Sequence, residues 1–268
     1  MDHTDLALKL SLIAQRAGAE IIAIKNKFDK KNIQLKGDGS PVTVADLTAH
    51  QLICDNIRKI CPRIPIVSEE GSIGDPETSQ LCFLVDPLDG TKEFIKGNGM
   101  YSVNIALTER KDNGRWKTIL GVVNAPEFGT TWFGGDGVEA TRQQSNKIDN
   151  VRVGSNSDLP IVLGSVSHRS PKDETFLQEL GRHIFEGVGS SIKICRVADG
   201  SADLSPRFGP TSCWDTAAAH AVLNSAGGNL LGPDGEELDY DLVNDLLNPP
   251  FLATYDSKWV ETWLNHQD

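Results

Sequence analysis

The sequence predicts a mixed fold, α+β over residues 1–150 and α/β over the smaller half, 151–268. Three observations predict it. Apolar residues recur at helical spacing through the first sixty positions, period-two alternation runs through residues 101–133, and strand-like and helix-like segments alternate beyond residue 150.

Leu6, Leu10, Ile13, Ala17, Ile21, Ile24 and Phe28 step by threes and fours, the mark of an amphipathic helix. Ser40-Pro41-Val42-Thr43 leads into a second helix with Ala45, Ala49, Ile53, Ile57 and Ile60 on one face, and Pro62 stops it. Short strands are expected at 64–67 and 81–85, with a Gly- and Pro-bearing surface loop, 71–80, between them. Residues 101–109 alternate through Val103, Ile105 and Leu107. With 119–124 and 130–133 they suggest an antiparallel sheet, joined by turns such as Asp112-Asn113-Gly114. Residues 134–150 turn polar and Gly-containing, so a boundary is placed near 150. A strand at 161–166, helices at 171–183 and 191–198, and an Ala-rich helix at 214–226 complete the reading.

With 268 residues there is ample room for a core, and 39% hydrophobic against 24% charged residues is ordinary for a soluble globular protein. No run approaches the ~20 apolar residues of a membrane span, and the acidic, amphipathic N-terminus does not read as a secretory signal. The net charge of −11 argues against nucleic-acid duplexes and anionic membranes as partners. It leaves open a small phosphorylated substrate if bound metal reverses the field locally. Five cysteines without a CxxC pair read as reduced, buried thiols of a cytoplasmic protein, not as a zinc site.

Residues 81–94 carry the sharpest functional signal. The apolar run Leu81 to Val85 ends in Asp86 and Asp89, separated by Pro87-Leu88 and followed by Gly90 and Thr91. Pro87 lacks a donor N–H and Gly90 favours a turn, so the strand is expected to stop and present both carboxylates at its end. Open α/β folds place ligands there, and paired acids with little nearby positive charge suit hard divalent cations. Further acids stand apart in sequence: Asp46 near the start of the second helix, Glu69 and Glu70 after a strand, and Asp215 opening the Ala-rich helix. Taken singly each has a plain structural reading, as a helix-start acid, a loop charge or part of a turn.

Together these blocks resemble the lithium-sensitive sugar and nucleotide phosphatase superfamily that contains the inositol monophosphatases. The resembling segments are Ser40-Pro41-Val42-Thr43 with Asp46, Ser68-Glu69-Glu70, Asp86 to Ile95, Gly121 to Pro126, Gly189 to Lys193, Pro206 to Thr211 and Trp214 to Ala218. They span nearly the whole chain. Lys92-Glu93-Phe94-Ile95 and Pro206-Arg207-Phe208-Gly209 point to its bacterial 3'(2'),5'-bisphosphate nucleotidase branch, the CysQ type.

The resemblance implies a layered αβαβα sandwich and a Mg²⁺-dependent phosphomonoesterase with two or three ions, acting in sulfur metabolism. By it, Glu69, Asp86 and the Leu88 carbonyl hold one ion, while Asp86, Asp89 and Asp215 hold a second. Thr91, hydrogen-bonded to Asp46, orients and helps deprotonate water, with Glu70 in support. Gly90 and Thr91 N–H groups cradle phosphate. Ser190, Ser191, Lys193 and Arg207 line a nucleotide pocket, and the 3'-phosphate of adenosine 3',5'-bisphosphate, or of the related sulfated nucleotide, is the substrate. From the residues alone, Ser190 and Ser191 read equally as helix caps and Arg207 as a structural ion-pair partner. His168-Arg169 is a lesser basic candidate. The branch implies a monomer in the cytoplasm, its relatives also associating peripherally with the inner membrane. The rival readings are an inositol or broader sugar phosphatase with the same metal site, and a metal- or nucleotide-binding module without chemistry.

Overall fold

The computed structural model describes residues 2–27, 34–35, 41–154, 157–165 and 170–266. Its first helix, α1 (His3–Lys25), starts where the Asp2 side chain accepts the N–H groups of Thr4 and Asp5, donors the helix itself leaves unpaired. Leu6, Leu10, Ile13, Ala17 and Ile21 form its buried face; Phe28 lies outside the described residues, as does Ser40. The short strands β1 (Gln34–Leu35) and β2 (Pro41–Val42) pair antiparallel. Helix α2 (Val44–Ile60) follows with Thr43 as its N-cap. Ala45, Ala49, Ile53 and Ile57 are buried as their spacing requires, but Ile60, in the last turn, is exposed.

Then come β3 (Ile66–Ser68), β4 (Leu81–Asp89), the short α3 (Thr91–Lys96), β5 (Ser102–Arg110), β6 (Trp116–Ala125), β7 (Thr130–Gly135), β8 (Val138–Gln144) and β9 (Lys147–Asn150). Their strands form a seven-stranded sheet in chain order, antiparallel apart from the parallel β3–β4 pair. Two expectations are corrected here. The polar stretch 134–150 supplies two strands; its alternation is weak because β9, at the sheet edge, is mostly exposed. Strand β4 also does not stop at Pro87. Asp86 pairs with Asn104 and Asp89 with Ser102, so one extra residue is absorbed in a bulge, the kind of place where a sheet tolerates proline.

The second half contains β10 (Ile161–Gly164), α4 (Pro171–Glu179), β11 (Ile184–Gly187), α5 (Ile192–Ala198), β12 (Leu204–Arg207), α6 (Cys213–Ser225), β13 (Asn229–Leu231), β14 (Phe251–Thr254) and α7 (Ser257–Asn265). Its sheet runs β11-β10-β12-β14-β13. The helix expected to reach residue 183 ends at Glu179, where Gly181 takes φ +69° and the chain turns into β11.

Alternate residues of the central strands point into different cores, which is why these strands read as continuous apolar runs. Phe83, Val85, Val103 and Ile105 pack against α1 and α2, whereas Leu84, Ala106 and Val123 pack against residues of α5 and α6. The far side of α5 and α6 meets Leu163, Leu230 and Phe251 of the smaller sheet. That sheet's outer face buries Val162, Leu204 and Leu252 under Phe176 of α4 and Trp263 of α7. The result is five layers, α/β/α/β/α. Helix α6 lies directly on β6: a Cβ on Gly121 would sit 1.9 Å from the Ala218 carbonyl oxygen. No described helix is long and apolar enough to cross a membrane.

Candidate active site

The parallel pairing of β3 and β4 brings two acidic strand ends together. Ser68 is in register with Val85, and the Glu69 N–H donates to the Val85 carbonyl at 3.1 Å, so Glu69 and Asp86 emerge side by side. The β4 bulge then aims the next acid. The Leu88 N–H donates to Asp86 Oδ1 at 2.9 Å. Asp89 Oδ2 accepts the Ser191 N–H at 2.6 Å, Asn104 Nδ2 at 3.2 Å and the Ser102 hydroxyl at 3.4 Å. Asp215, three residues into α6, accepts the Ser212 N–H at 2.8 Å. It caps its helix, as the plain structural reading held, and also faces the cavity. Asp86, Asp89 and Asp215 each offer an oxygen within 4.8 Å of the others.

These acids form one wall of a cavity of about 380 Å³ that opens between the two sheets. Glu69, Leu88, Gly90, Thr91, Ser190, Ser191, Lys193 and Arg207 also line it. Gly90 occupies the left-handed region at φ +94°, which lets the chain reverse from β4 into α3. Ser190 is likewise left-handed, at φ +54°.

Two predicted residues stand behind this wall. Asp46 is buried at the start of α2, where its Oδ2 accepts the Thr43 N–H and hydroxyl at 2.7 and 2.6 Å. Its Oδ1 accepts the Thr91 hydroxyl at 2.9 Å. Glu70 lies near enough for its charge to help push the Asp46 pKa up, an effect led by burial. His168 and Arg169 lie outside the described residues.

Crowding shows in the proton affinities. Burial, then the charges of Glu69, Asp89 and Asp215, drive the Asp86 carboxyl well above the usual carboxylate range. Asp215 is pushed up to about 7 by burial and by Asp89. Asp89 rises less freely, because Lys193 and the Ser191 N–H favour its charged form. Burial lowers Lys193 to about 8, with Asp89 opposing; its ammonium donates to the Ser190 carbonyl at 2.7 Å. Arg207 donates to the Gly209 and Pro210 carbonyls, both at 3.1 Å, holding the turn at the cavity rim. Three converging carboxylates, with burial and neighbouring acids raising Asp86 and Asp215, fit a divalent cation. The absence of imidazole or thiolate from this triad favours a hard, oxygen-seeking ion over zinc.

Ser102 and Asn104 were not foreseen. Both are buried in β5. Ser191 Oγ donates to Asn104 Oδ1 at 2.7 Å and pairs with Ser102 Oγ at 2.9 Å, so the three residues form one cradle for Asp89. The signal was available: Ser102, Asn104 and Thr108 are polar positions on one face of a strand whose other face carries Val103, Ile105 and Leu107 before it ends in Glu109.

Five alternating layers with three carboxylates gathered at one cavity define a layered α/β protein with a candidate cation site. The model of the inositol monophosphatase family matches residues 5–263, and the chain belongs to that family. The 3'(2'),5'-bisphosphate nucleotidase CysQ of Escherichia coli K12 is 42% identical over 244 residues, covering 90% of this chain and 96% of that protein. Its namesake in Buchnera aphidicola is 35% identical over 256 residues, covering 92% of each. Among solved structures, CysQ of Bacteroides thetaiotaomicron superposes with a TM-score of 0.80 at 34% identity, over 94% of this chain and 98% of that one. An IMPase from Thermotoga maritima shares the fold, with a TM-score of 0.78 at 24% identity over 99% and 98% of the two chains.

Proposed function

We propose that this chain is a Mg²⁺-dependent 3'(2'),5'-bisphosphate nucleotidase. It hydrolyses the 3'-phosphate of adenosine 3',5'-bisphosphate to AMP and inorganic phosphate, and accepts the sulfated nucleotide as a second substrate. The observation that carries the phosphatase chemistry is the convergence of Asp86, Asp89 and Asp215 on one cavity. The choice of nucleotide is supported by the names of the 42%-identical relatives.

In this reading Glu69, Asp86 and the Leu88 carbonyl would hold one ion, and Asp86, Asp89 and Asp215 would hold a second. Such ions, when bound, reverse the local charge and acidify water near neutral pH. The remaining work belongs to the chain. Because the Thr91 hydroxyl donates its proton to Asp46, its oxygen is left to accept one from the attacking water, and Asp46 is the base behind it. Glu70 supports the same pair through its charge. The Gly90 and Thr91 N–H groups orient the phosphate. Ser190, Lys193 and Arg207 face the nucleotide, while Ser191 acts through Asp89, to which its N–H is committed. The buried free thiols Cys54, Cys61, Cys82, Cys195 and Cys213 are in keeping with work in the reducing cytoplasm.

Phosphate release from adenosine 3',5'-bisphosphate and from inositol 1-phosphate, at equal Mg²⁺, tests the assignment. A clear preference for the nucleotide is expected. Preference for inositol 1-phosphate returns the chain to the sugar-phosphatase reading, and Mg²⁺ binding without hydrolysis of either overturns catalysis altogether.

A further inference from the structure

Helix α2 sends two polar side chains toward the site from one face. Asp46 is the first, and His50 follows four residues later, one turn along the same face. The half-buried imidazole places Nδ1 2.9 Å from the hydroxyl of Ser68, which is 4% exposed. Ser68 is the last residue of β3, and Glu69 and Glu70 follow it directly. The Cys54 thiol, a further turn along, sits 3.7 Å from His50 Nδ1 and backs the ring. The charge of Glu70 acts on both Asp46 and His50. Helix α2 is thereby pinned to the site twice: through Asp46 and Thr91 to the turn after β4, and through His50 and Ser68 to the end of β3.

We propose that His50 is a positioning residue for the Glu69–Glu70 pair. Its hydrogen bond to Ser68 sets how far β3 advances alongside β4, and hence where Glu69 stands beside Asp86. The inference rests on the reading of Glu69 as a metal ligand. Side chains that orient ligands from behind typically govern metal affinity without touching substrate, so the KM for nucleotide is not expected to depend on His50.

Four variants test this: His50→Ala, His50→Gln, His50→Asn and Ser68→Ala, each assayed by calorimetric titration of the metal-free enzyme with Mg²⁺ and by steady-state kinetics. An Asn amide reaches the position of Nδ1, whereas Gln reaches that of Nε2. His50→Ala, His50→Gln and Ser68→Ala are expected to weaken Mg²⁺ binding about 10-fold or more, with nucleotide KM unchanged and His50→Asn restoring most of the affinity. Ser68→Ala keeps the test alive should the His50 variants fail to fold. Unchanged Mg²⁺ affinity in His50→Ala or Ser68→Ala overturns the inference, as does equal loss in His50→Asn and His50→Gln. Wild-type enzyme that binds no Mg²⁺ overturns the metal reading itself and the inference with it, a result visible before any variant is made.

Discussion

Thr91 Oγ1 donates to Asp46 Oδ1 across 2.9 Å, joining the turn after β4 to the first turn of α2. The other oxygen of Asp46 is saturated by the N–H and hydroxyl of Thr43, so Oδ1 is the one available to take a proton from the cavity side. Thr91→Ala is therefore expected to lower kcat by about 10²–10⁴-fold, the usual weight of a positioned acid–base group, with Mg²⁺ affinity held within about threefold. Thr91→Ser keeps the hydroxyl and should retain most turnover. Steady-state kinetics with a parallel Mg²⁺ titration decides it; an unaltered kcat in Thr91→Ala removes the dyad from the mechanism.

Asp89 is gripped by Ser191, Asn104 and Ser102, so Asp89→Asn exchanges one oxygen for nitrogen in a side chain of the same shape. The fold should persist while turnover falls by about 100-fold or more, since one ligand charge is lost. Asn104→Leu probes the cradle instead, and is expected to cost about 10–100-fold in Mg²⁺ affinity. Near-normal Mg²⁺-dependent phosphate release from Asp89→Asn contradicts its assignment as a ligand.

Asp215 gives a signed pH dependence. Its carboxyl is raised from 3.8 to about 7 by burial and by Asp89. A raised folded-state pKa means the folded form holds the extra proton, so the stabilising contribution is present below the unfolded value and is lost as pH rises through about 7. In EDTA, Asp215→Asn should melt above wild type at about pH 8, the gap narrowing at about pH 5 and closing only as pH falls below the unfolded value of 3.8. Added Mg²⁺ should reverse the order at the higher pH, because the ions stabilise folded wild type more than a variant that has lost one ligand charge. Thermal melts at the two pH values check this. A gap that ignores pH in EDTA would show that Asp215 ionises normally.

Long elements with strong periodicity were legible in the sequence. Helices α1, α2 and α6 and the central strands β4 to β7 lie within a few residues of their expected positions, because each buries a full face and its pattern records that burial. The short strands β12, β13 and β14 left no pattern, having three or four residues apiece. The β4 bulge has no local signature, because the tendency of Pro87 to end a strand is overridden by the partner strand, which absorbs the extra residue. The candidate acids were all visible as residues. Their convergence was expected from the family resemblance alone, since it depends on the parallel β3–β4 register and on the docking of α6, which local patterns do not record. Ser102 and Asn104 carry no charge and act by holding a carboxylate that arrives from another strand, so their neighbours in sequence do not mark them.

That docking of α6 yields the last prediction. Gly121 in β6 faces the helix so closely that a Cβ would lie 1.9 Å from Ala218 O and 2.7 Å from its carbonyl carbon. The neighbouring Thr118 hydroxyl donates to the Ala217 carbonyl at 2.9 Å, tying the same turn to the same strand. Backbone cannot yield as a flexible side chain can, so Gly121→Ala must push α6 off the sheet. Overpacking of this kind costs about 1–3 kcal/mol, or about 2–4 °C in Tm for each kcal/mol at this chain length. Asp215 rides on the same helix, three residues before Ala218. Mg²⁺ affinity should therefore fall with Tm, although Gly121 lies outside the cavity lining. Melts and Mg²⁺ titrations of Gly121→Ala test both parts; a variant with wild-type Tm shows that the helix is not seated on the strand as described, and a lowered Tm with intact Mg²⁺ affinity shows that the seat does not govern Asp215.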